Sequence, residues 1–188
     1  MTIWHCHAAV SLDAKLARPD GGVDWLTEYP PDDALGFPSF LASVDAILMG
    51  RGTYDAVRHL GDWPHPDKPT IVLTNRPLRD APAKVETRRG DLSAVVGEME
   101  RAGYRRVWIE GGGIVVRDML ALGKLDILEL AVIPIILGDG VPLFPHGIGE
   151  TKLRLEAAKP WIKGAVHLVY RRAAPTGNAA QSIPSARL

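Results

Sequence analysis

The sequence predicts an α/β protein with a mostly parallel sheet and antiparallel strands at one side. Three observations predict it. Short apolar runs of strand length alternate with helix-like segments from Thr2 to Gly123. Several of these runs end in glycine or a hydroxyl side chain, directly before a helix or turn. After Leu125 the pattern changes to apolar and alternating runs without helices between them.

Taken in order, residues 2–10 read as a first buried strand. The stretch SLDAKLARPDGGVDWL is a long loop, punctuated by Pro19, Gly21 and Gly22. Residues 32–43 read as a helix with Leu35, Phe40 and Leu41 on its apolar side, although Gly36 and Pro38 weaken the pattern. DAILMG (45–50) is a short strand, and RGTYDAVRHLG (51–61) a helix ended by Gly61. TIVLTN (70–75) and KVETR (84–88) read as strands. Residues 91–103 form a helix with Asp91 at its N-cap and Gly103 past its end. RVWIE (106–110) is a strand and IVVRDMLALG (114–123) a helix. LDILELAVIPIIL (125–137) is an apolar strand interrupted near Pro134. Residues 152–159 and 165–172 make a terminal hairpin around Pro160–Gly164. One domain is expected over residues 1–172, with 173–188, small, polar and Pro-containing, as a tail.

Composition narrows the function classes. The 188 residues are 46% hydrophobic and 23% charged, ordinary for a globular chain able to bury a core. The formal net charge is zero, so no long-range field draws the chain to nucleic acid or to a membrane surface. A single cysteine, Cys6, excludes an intramolecular disulfide and fits a reducing cytoplasm, the expected location. MTIWHCHAAV lacks a basic leader and is too short to span a membrane. His5 and His7 share a strand face, but no third ligand follows at a metal-binding spacing, so no metal is expected. HLGDWPHP (59–66), with His59, Trp63 and His65, is expected to be a packed surface loop.

The run RVWIEGGGIVVRDML carries the strongest functional signal. Strand, glycines, then helix is the geometry at which open α/β folds bind ligands. Missing Cβ atoms let a phosphate approach the backbone, and the helix N-terminus favours its charge. The spacing matches neither the dinucleotide fingerprint nor a phosphate-binding Gly-Lys-Ser/Thr loop. The ordinary alternative is a tight turn whose glycines only supply positive φ. Two other strand ends repeat the arrangement. MGRGTYDAV places Gly50, Arg51 and Thr53 at a helix start; VLTNRP places Thr74, Asn75 and Arg76 before Pro77. Each also reads as a plain cap or turn, but the three together suit one extended polyanion such as a dinucleotide.

GRGTY, TNRP, EGGG and LGDGVPLF, in that order after SLDAKLA, resemble the reductase domain of bifunctional riboflavin-biosynthesis proteins and stand-alone members of the wider dihydrofolate reductase superfamily. The resemblance runs from Thr2 to Arg172. It implies a three-layer αβα dihydrofolate reductase-like fold around a mixed sheet, NADPH as hydride donor, a small heterocyclic or carbonyl-type substrate that is pterin- or pyrimidine-like, and a homodimer. Under it, Arg51 and Thr53 hold cofactor phosphates, and Thr74, Asn75 and Arg76 lie at the adenosine ribose and its 2′-phosphate. Gly111, Gly112 and Gly113, with Ile114 and Val115, wrap the pyrophosphate, and a cis Gly111–Gly112 peptide is implied. Asp13, Lys15 and Glu110 surround the reacting centre, with Trp25 as an apolar lid. Their ordinary readings are a loop cap, a solvated charge, a strand-end ion pair and a core aromatic.

The chain departs from the family pattern in two places. Ala14 stands where the S-L-D-G-K motif has glycine, which is expected to remove positive φ and shift the loop. No H-x-E with P-C-x-x-C is present, so the zinc deaminase partner is missing. Asp32 and Asp33 are candidates, by location, for the carboxylate that folate reductases set against pterin. A second reading stands beside the reductase: a non-catalytic nucleotide-binding or ligand-sensing module of the same fold.

Overall fold

The computed structural model describes residues 1–29 and 36–173. The leading part of the expected helix over 32–43, with Asp32, Asp33 and Leu35, lies outside the described residues, as does the tail after Ala173. Ten strands and four α-helices follow in chain order among the described residues. They are β1 (Ile3–Ser11), β2 (Lys15–Ala17), α1 (Phe37–Ser43), β3 (Ala46–Gly50), α2 (Arg51–His59), β4 (Thr70–Leu73) and β5 (Val85–Arg88). Then come α3 (Leu92–Arg101), β6 (Arg106–Gly111), α4 (Gly113–Ala121), β7 (Ile127–Ile133), β8 (Val141–Pro142), β9 (Leu153–Pro160) and β10 (Val166–Arg172).

Eight strands form one sheet in the order β5-β4-β3-β6-β1-β7-β10-β9. The pairs from β5 through β7 are all parallel. β10 is antiparallel to both β7 and β9, which puts the antiparallel part at one side, as expected. β7 stops at Ile133, because Pro134 has no N–H to continue the ladder. β2 and β8 make a separate two-stranded ladder that the sequence pattern did not disclose.

Alternation along the central strands builds the three layers. In β3, Leu48 joins the core formed with Val95, Val96 and Met99 of α3 and Val115, Val116 and Met119 of α4. Its neighbours Ile47 and Met49 face the other way, onto Phe40 and Val44 beside α1 and Tyr54 of α2. In β1, Trp4 and Cys6 enter the first core, and burial pushes the Cys6 thiol up to about 12. His5 and His7 therefore point to the α1 face, where Phe40 meets both rings edge-on. Each apolar side chain in these cores contributes about 1.5–3 kcal/mol of burial. Among the described residues no helix is long and apolar enough to cross a membrane.

α1 begins at Phe37, with Pro38 in its first turn, where a missing N–H costs nothing. α3 has the expected cap: Asp91 accepts from the Ser93 amide at 3.0 Å, and Gly103 follows the helix at φ 84°.

Candidate active site

One cavity of about 1170 Å³ runs along the carboxyl ends of the parallel strands. It is lined from Arg88 at the end of β5 and Arg89 just after it, past Gly50, Glu110 and Ala9, to Ala131 and Ile133 on β7. Six neighbouring strands at roughly 4.8 Å spacing make it about 24 Å long. That exceeds the room a single small ligand needs.

Two helices with glycine at their starts meet in this cavity, and neither has a side-chain cap. α2 starts after Gly50 and α4 after Gly112 without a capping hydrogen bond, whereas α3, whose first residue Leu92 also lines the cavity, is capped by Asp91. The first-turn amides of α2 and α4 therefore lack protein side-chain partners. The bends at both helix starts converge on the same space: Gly50, Arg51, Gly52, Thr53, Gly112 and Gly113 all line it.

The three glycines have separate causes. Gly111 holds φ 108°, with open space where a Cβ would stand. A Cβ on Gly112 would lie 3.4 Å from Thr53 Oγ1. A Cβ on Gly113 would sit 2.2 Å from the Pro142 carbonyl oxygen, so β8 occupies its place. The Gly111–Gly112 peptide is cis, as the resemblance implied. Ile114, exposed, and Val115, buried, complete this wall.

Thr74 and Asn75 line the cavity; Arg76 is exposed and does not. Arg76 lies in a turn in which its own N–H donates to Thr74 Oγ1 at 3.1 Å. Arg51 braces this turn against α2: its Nε donates to Asp55 at 2.8 Å and its Nη1 to the Pro77 carbonyl at 3.3 Å. Arg88 and Arg89 carry no functional signal in the sequence, because the short strand that Arg88 ends gives no local cue. Arg88 is held by Glu98 and Glu86, and Arg89 is exposed at the cavity edge.

The three residues assigned to the reacting centre are placed apart. Glu110 lines the cavity. Its side chain is 11% exposed, Oε1 lies 3.7 Å from His65 Nε2, and Oε2 is buried without a partner. Asp13 does not line the cavity. Its carboxylate accepts from the Leu137 and Gly138 amides at 3.0 and 2.9 Å and from Ser11 Oγ at 2.7 Å, all of which hold its carboxyl below the usual range, the Ser11 bond most. Lys15 does not line it either, and pairs through its backbone with Pro142. Trp25 is buried against Ala131, Ile133 and Ala165, where it anchors the folded-back loop; Leu26, Tyr29 and Trp161 present the surface over the pocket instead. Ala14 adopts φ 57°, so the loop keeps the left-handed turn that the missing glycine was expected to abolish. The turn persists because its amide donates to the Ser11 carbonyl and its carbonyl accepts from Leu143 N, each at 2.9 Å.

His65 corrects a second expectation. Its loop is not simply a surface: the ring is buried, edge-on to Trp108 with centroids 5.2 Å apart, and backs Glu110. A neighbouring buried cluster lies under α1. His5 and His167 each place Nε2 2.7 Å from a Glu129 oxygen. Burial of Glu129 opposes its ionisation, but contact with His5 first and the other histidines next outweighs it and holds the carboxyl at about 2. His7 lines the cavity, and burial, against the pull of Glu129, lowers its ring to about 4.

Comparison with known proteins places the chain. Residues 4–166 match the model of the RibD C-terminal domain, and the chain belongs to this family. YwjB of Bacillus subtilis, an uncharacterised protein, is 35% identical over 168 residues, covering 89% of this chain and 96% of YwjB. A putative riboflavin biosynthesis protein from Shewanella sp. PV-4 superposes with a TM-score of 0.82 at 28% identity, covering 92% of this chain and 99% of that one. Two more distant structures share the fold. A deaminase/5-amino-6-(5-phosphoribosylamino)uracil reductase from Thermotoga maritima gives 0.66 at 19% identity, with 92% and 57% covered. The Enterococcus faecalis dihydrofolate reductase complexed with NADP(H) gives 0.67 at 18%, with 92% and 97% covered. The chain therefore has the three-layer α/β fold of this reductase family.

Proposed function

We propose that this chain is an NADPH-dependent reductase that passes hydride to a small heterocyclic or carbonyl-type acceptor. The observation that carries the reading is the convergence of two uncapped helix starts, α2 and α4, on one long cavity beside Arg51, Arg88 and Arg89. Bare amides, helix dipoles and guanidinium groups together suit a diphosphate. The residues fit the cofactor: the Gly111–Gly113 bend and Thr53 would take the pyrophosphate, and Thr74, Asn75 and the nearby arginines the adenosine ribose and its phosphate. Bound there, NADPH would supply the hydride. The chain's own contribution at the other end is to exclude water with Tyr29, Leu26 and Trp161 and to hold a carboxylate, Glu110, at the acceptor.

Fluorescence titration of NADPH and NADH tests the cofactor. Arg76→Ala and Arg89→Ala are each expected to weaken NADPH at least tenfold more than NADH. Equal loss for both nucleotides in both variants would remove the 2′-phosphate assignment, and failure of either nucleotide to bind at millimolar concentration would remove the reading. NADPH oxidation over a panel of pterins, pyrimidines and quinones then tests the chemistry. The sensing-module reading draws support from Asp13 and Lys15, which stand away from the cavity; tight NADPH binding without oxidation by any acceptor would favour it. A homodimer belongs to the same proposal: the edge strand β9 and its turn expose Leu155 and Ile162, which sedimentation would show to be covered. A cytoplasmic location is part of it too, since NADPH and the thiol of Cys6 suit a reducing compartment.

A further inference from the structure

His65 stands behind Glu110 in a setting that holds its ring still. Pro64 and Pro66 flank it in the sequence, and a residue before proline is confined to extended backbone. Its carbonyl accepts twice, from Trp63 Nε1 and from the Lys68 amide, both at 3.1 Å. Its ring is met edge-on by two indoles, Trp63 with centroids 5.8 Å apart and Trp108 with centroids 5.2 Å apart. Trp108 is itself fixed, because its Nε1 donates to the His7 carbonyl of β1 at 3.1 Å. Packing alone does not need an imidazole here, since a phenyl ring would make the same edge-on contacts. What the imidazole adds is a nitrogen: its Nε2 lies 3.7 Å from Glu110 Oε1, with 6% and 11% of the two side chains exposed. Among the described residues no other basic side chain lies within ion-pair distance of Glu110.

We propose that His65 is a positioning residue: its Nε2–H donates to Glu110 and holds that carboxylate at the acceptor. The inference rests on the reductase reading for the acceptor; the pair itself stands on geometry. The tautomer follows from the neighbours. A proton on Nε2 meets a carboxylate oxygen, whereas a lone pair there would face one. A proton on Nδ1 instead would strand a donor, since Nδ1 is buried without a partner. The contact is longer than a hydrogen bond, and catalytic hydrogen bonds tighten when substrate enters. Because the ring is clamped, the partner that moves is the carboxylate, and an approach of about 1 Å completes the bond and fixes its orientation in the wall. Glu110 Oε2 already lacks a partner in the protein. Without the His65 donor neither oxygen is held, and a carboxylate in such a wall turns toward whatever donor it can reach. The chemistry then suffers while the packing around Trp63 and Trp108 stays.

Histidine-selective nitrogen NMR of the full chain tests the pair without turnover. The His65 Nε2–H signal, assigned by its loss in His65→Gln, is expected in wild type. It should persist in Glu110→Gln, whose side-chain oxygen still accepts, and move upfield or vanish by solvent exchange in Glu110→Leu. A wild-type Nε2 without a proton, or a signal indifferent to Glu110→Leu, overturns the proposal. Turnover separates positioning from packing, with NADPH oxidation followed on the pterin, pyrimidine or quinone that wild type reduces fastest. His65→Phe keeps an edge-on ring and lacks the donor; His65→Gln keeps an N–H and loses the ring. Positioning predicts a kcat at least tenfold lower in His65→Phe with KM within about twofold, and a kcat in His65→Gln within about threefold of wild type. A packing role predicts the reverse order of the two variants, and that order overturns the proposal. If wild type oxidises NADPH with none of these acceptors, the reductase reading falls and the nitrogen signals alone decide the pair.

Discussion

Gly113→Ala tests the packing that gives the glycine-rich bend its shape. A Cβ at this position would lie 2.2 Å from the Pro142 carbonyl oxygen, 2.9 Å from that of Leu143 and 3.0 Å from Pro145 Cδ. Two of the three obstacles are backbone, so no rotamer change relieves them. Either α4 moves, which disturbs Val115, Val116 and Met119 in the core, or β8 moves. Moving β8 strains its pairing with β2 and the Leu143 N to Ala14 O bond of 2.9 Å. Overpacking of this kind costs about 1–3 kcal/mol, and rigid obstacles argue for the upper end. The helix-propensity gain of alanine returns less than about 1 kcal/mol at a first-turn position. For a chain of this size a net loss of about 2 kcal/mol lowers Tm by roughly 4–8 °C. Scanning calorimetry reads the shift, with Gly97→Ala as control. There the Cβ meets only Arg101 Nη1, the tip of a flexible side chain, so Tm should hold or rise. A Gly113→Ala protein melting within about 1 °C of wild type would refute the reasoning.

Three further outcomes follow from the same geometry. Asp13→Asn should lower Tm at pH 7, because an amide cannot accept from both Leu137 N and Gly138 N through two oxygens; the depressed carboxyl gives stability above the ordinary carboxylate range that is lost as pH falls through its folded value. An unchanged Tm with lost activity would return Asp13 to the substrate. His7 titrates at about 4 when folded and at an ordinary 6.5 when unfolded, so the unfolded chain binds the extra proton between these values. Stability should therefore be full above pH 6.5 and fall by about 3 kcal/mol on acidification to pH 4, a slope that urea midpoints should show weakened in His7→Gln; an identical slope in the variant would contradict the assignment. Ala14→Gly should raise stability by about 1 kcal/mol, since an alanine in the left-handed region is strained there; a fall in Tm would show that the turn does not need the freedom of glycine.

The parts of the fold legible in the sequence were those with a local cause. Strands β3, β4 and β6 are apolar runs closed by glycine or threonine, and α3 has its cap and its terminal glycine, so each announces itself within ten residues. β8 is two residues long and exists because Lys15 and Pro142 meet across more than a hundred residues, which leaves no periodicity to read. His65 was hidden for the same reason. Within PHPDK nothing marks it as buried; only the approach of β6, carrying Trp108 and Glu110, turns a loop histidine into the wall behind a carboxylate.

The same distinction explains the divided fate of Asp13, Lys15 and Glu110. They are similar as letters in a motif, but their backbones are not equivalent. Glu110 sits at the carboxyl end of a central parallel strand, one residue before a bend with φ 108°, so its side chain is delivered to the cavity by the sheet itself. Asp13 stands in a turn whose neighbours at 137 and 138 offer two free amides, and a carboxylate within reach of two N–H donors is held by them. Lys15 belongs to the small β2–β8 ladder outside the main sheet. A carboxylate pinned by the backbone stabilises a loop, whereas one with an orphan oxygen in a cavity wall is available to a ligand. On that physical ground Glu110, rather than the motif as a whole, is where the chemistry of this chain should be sought.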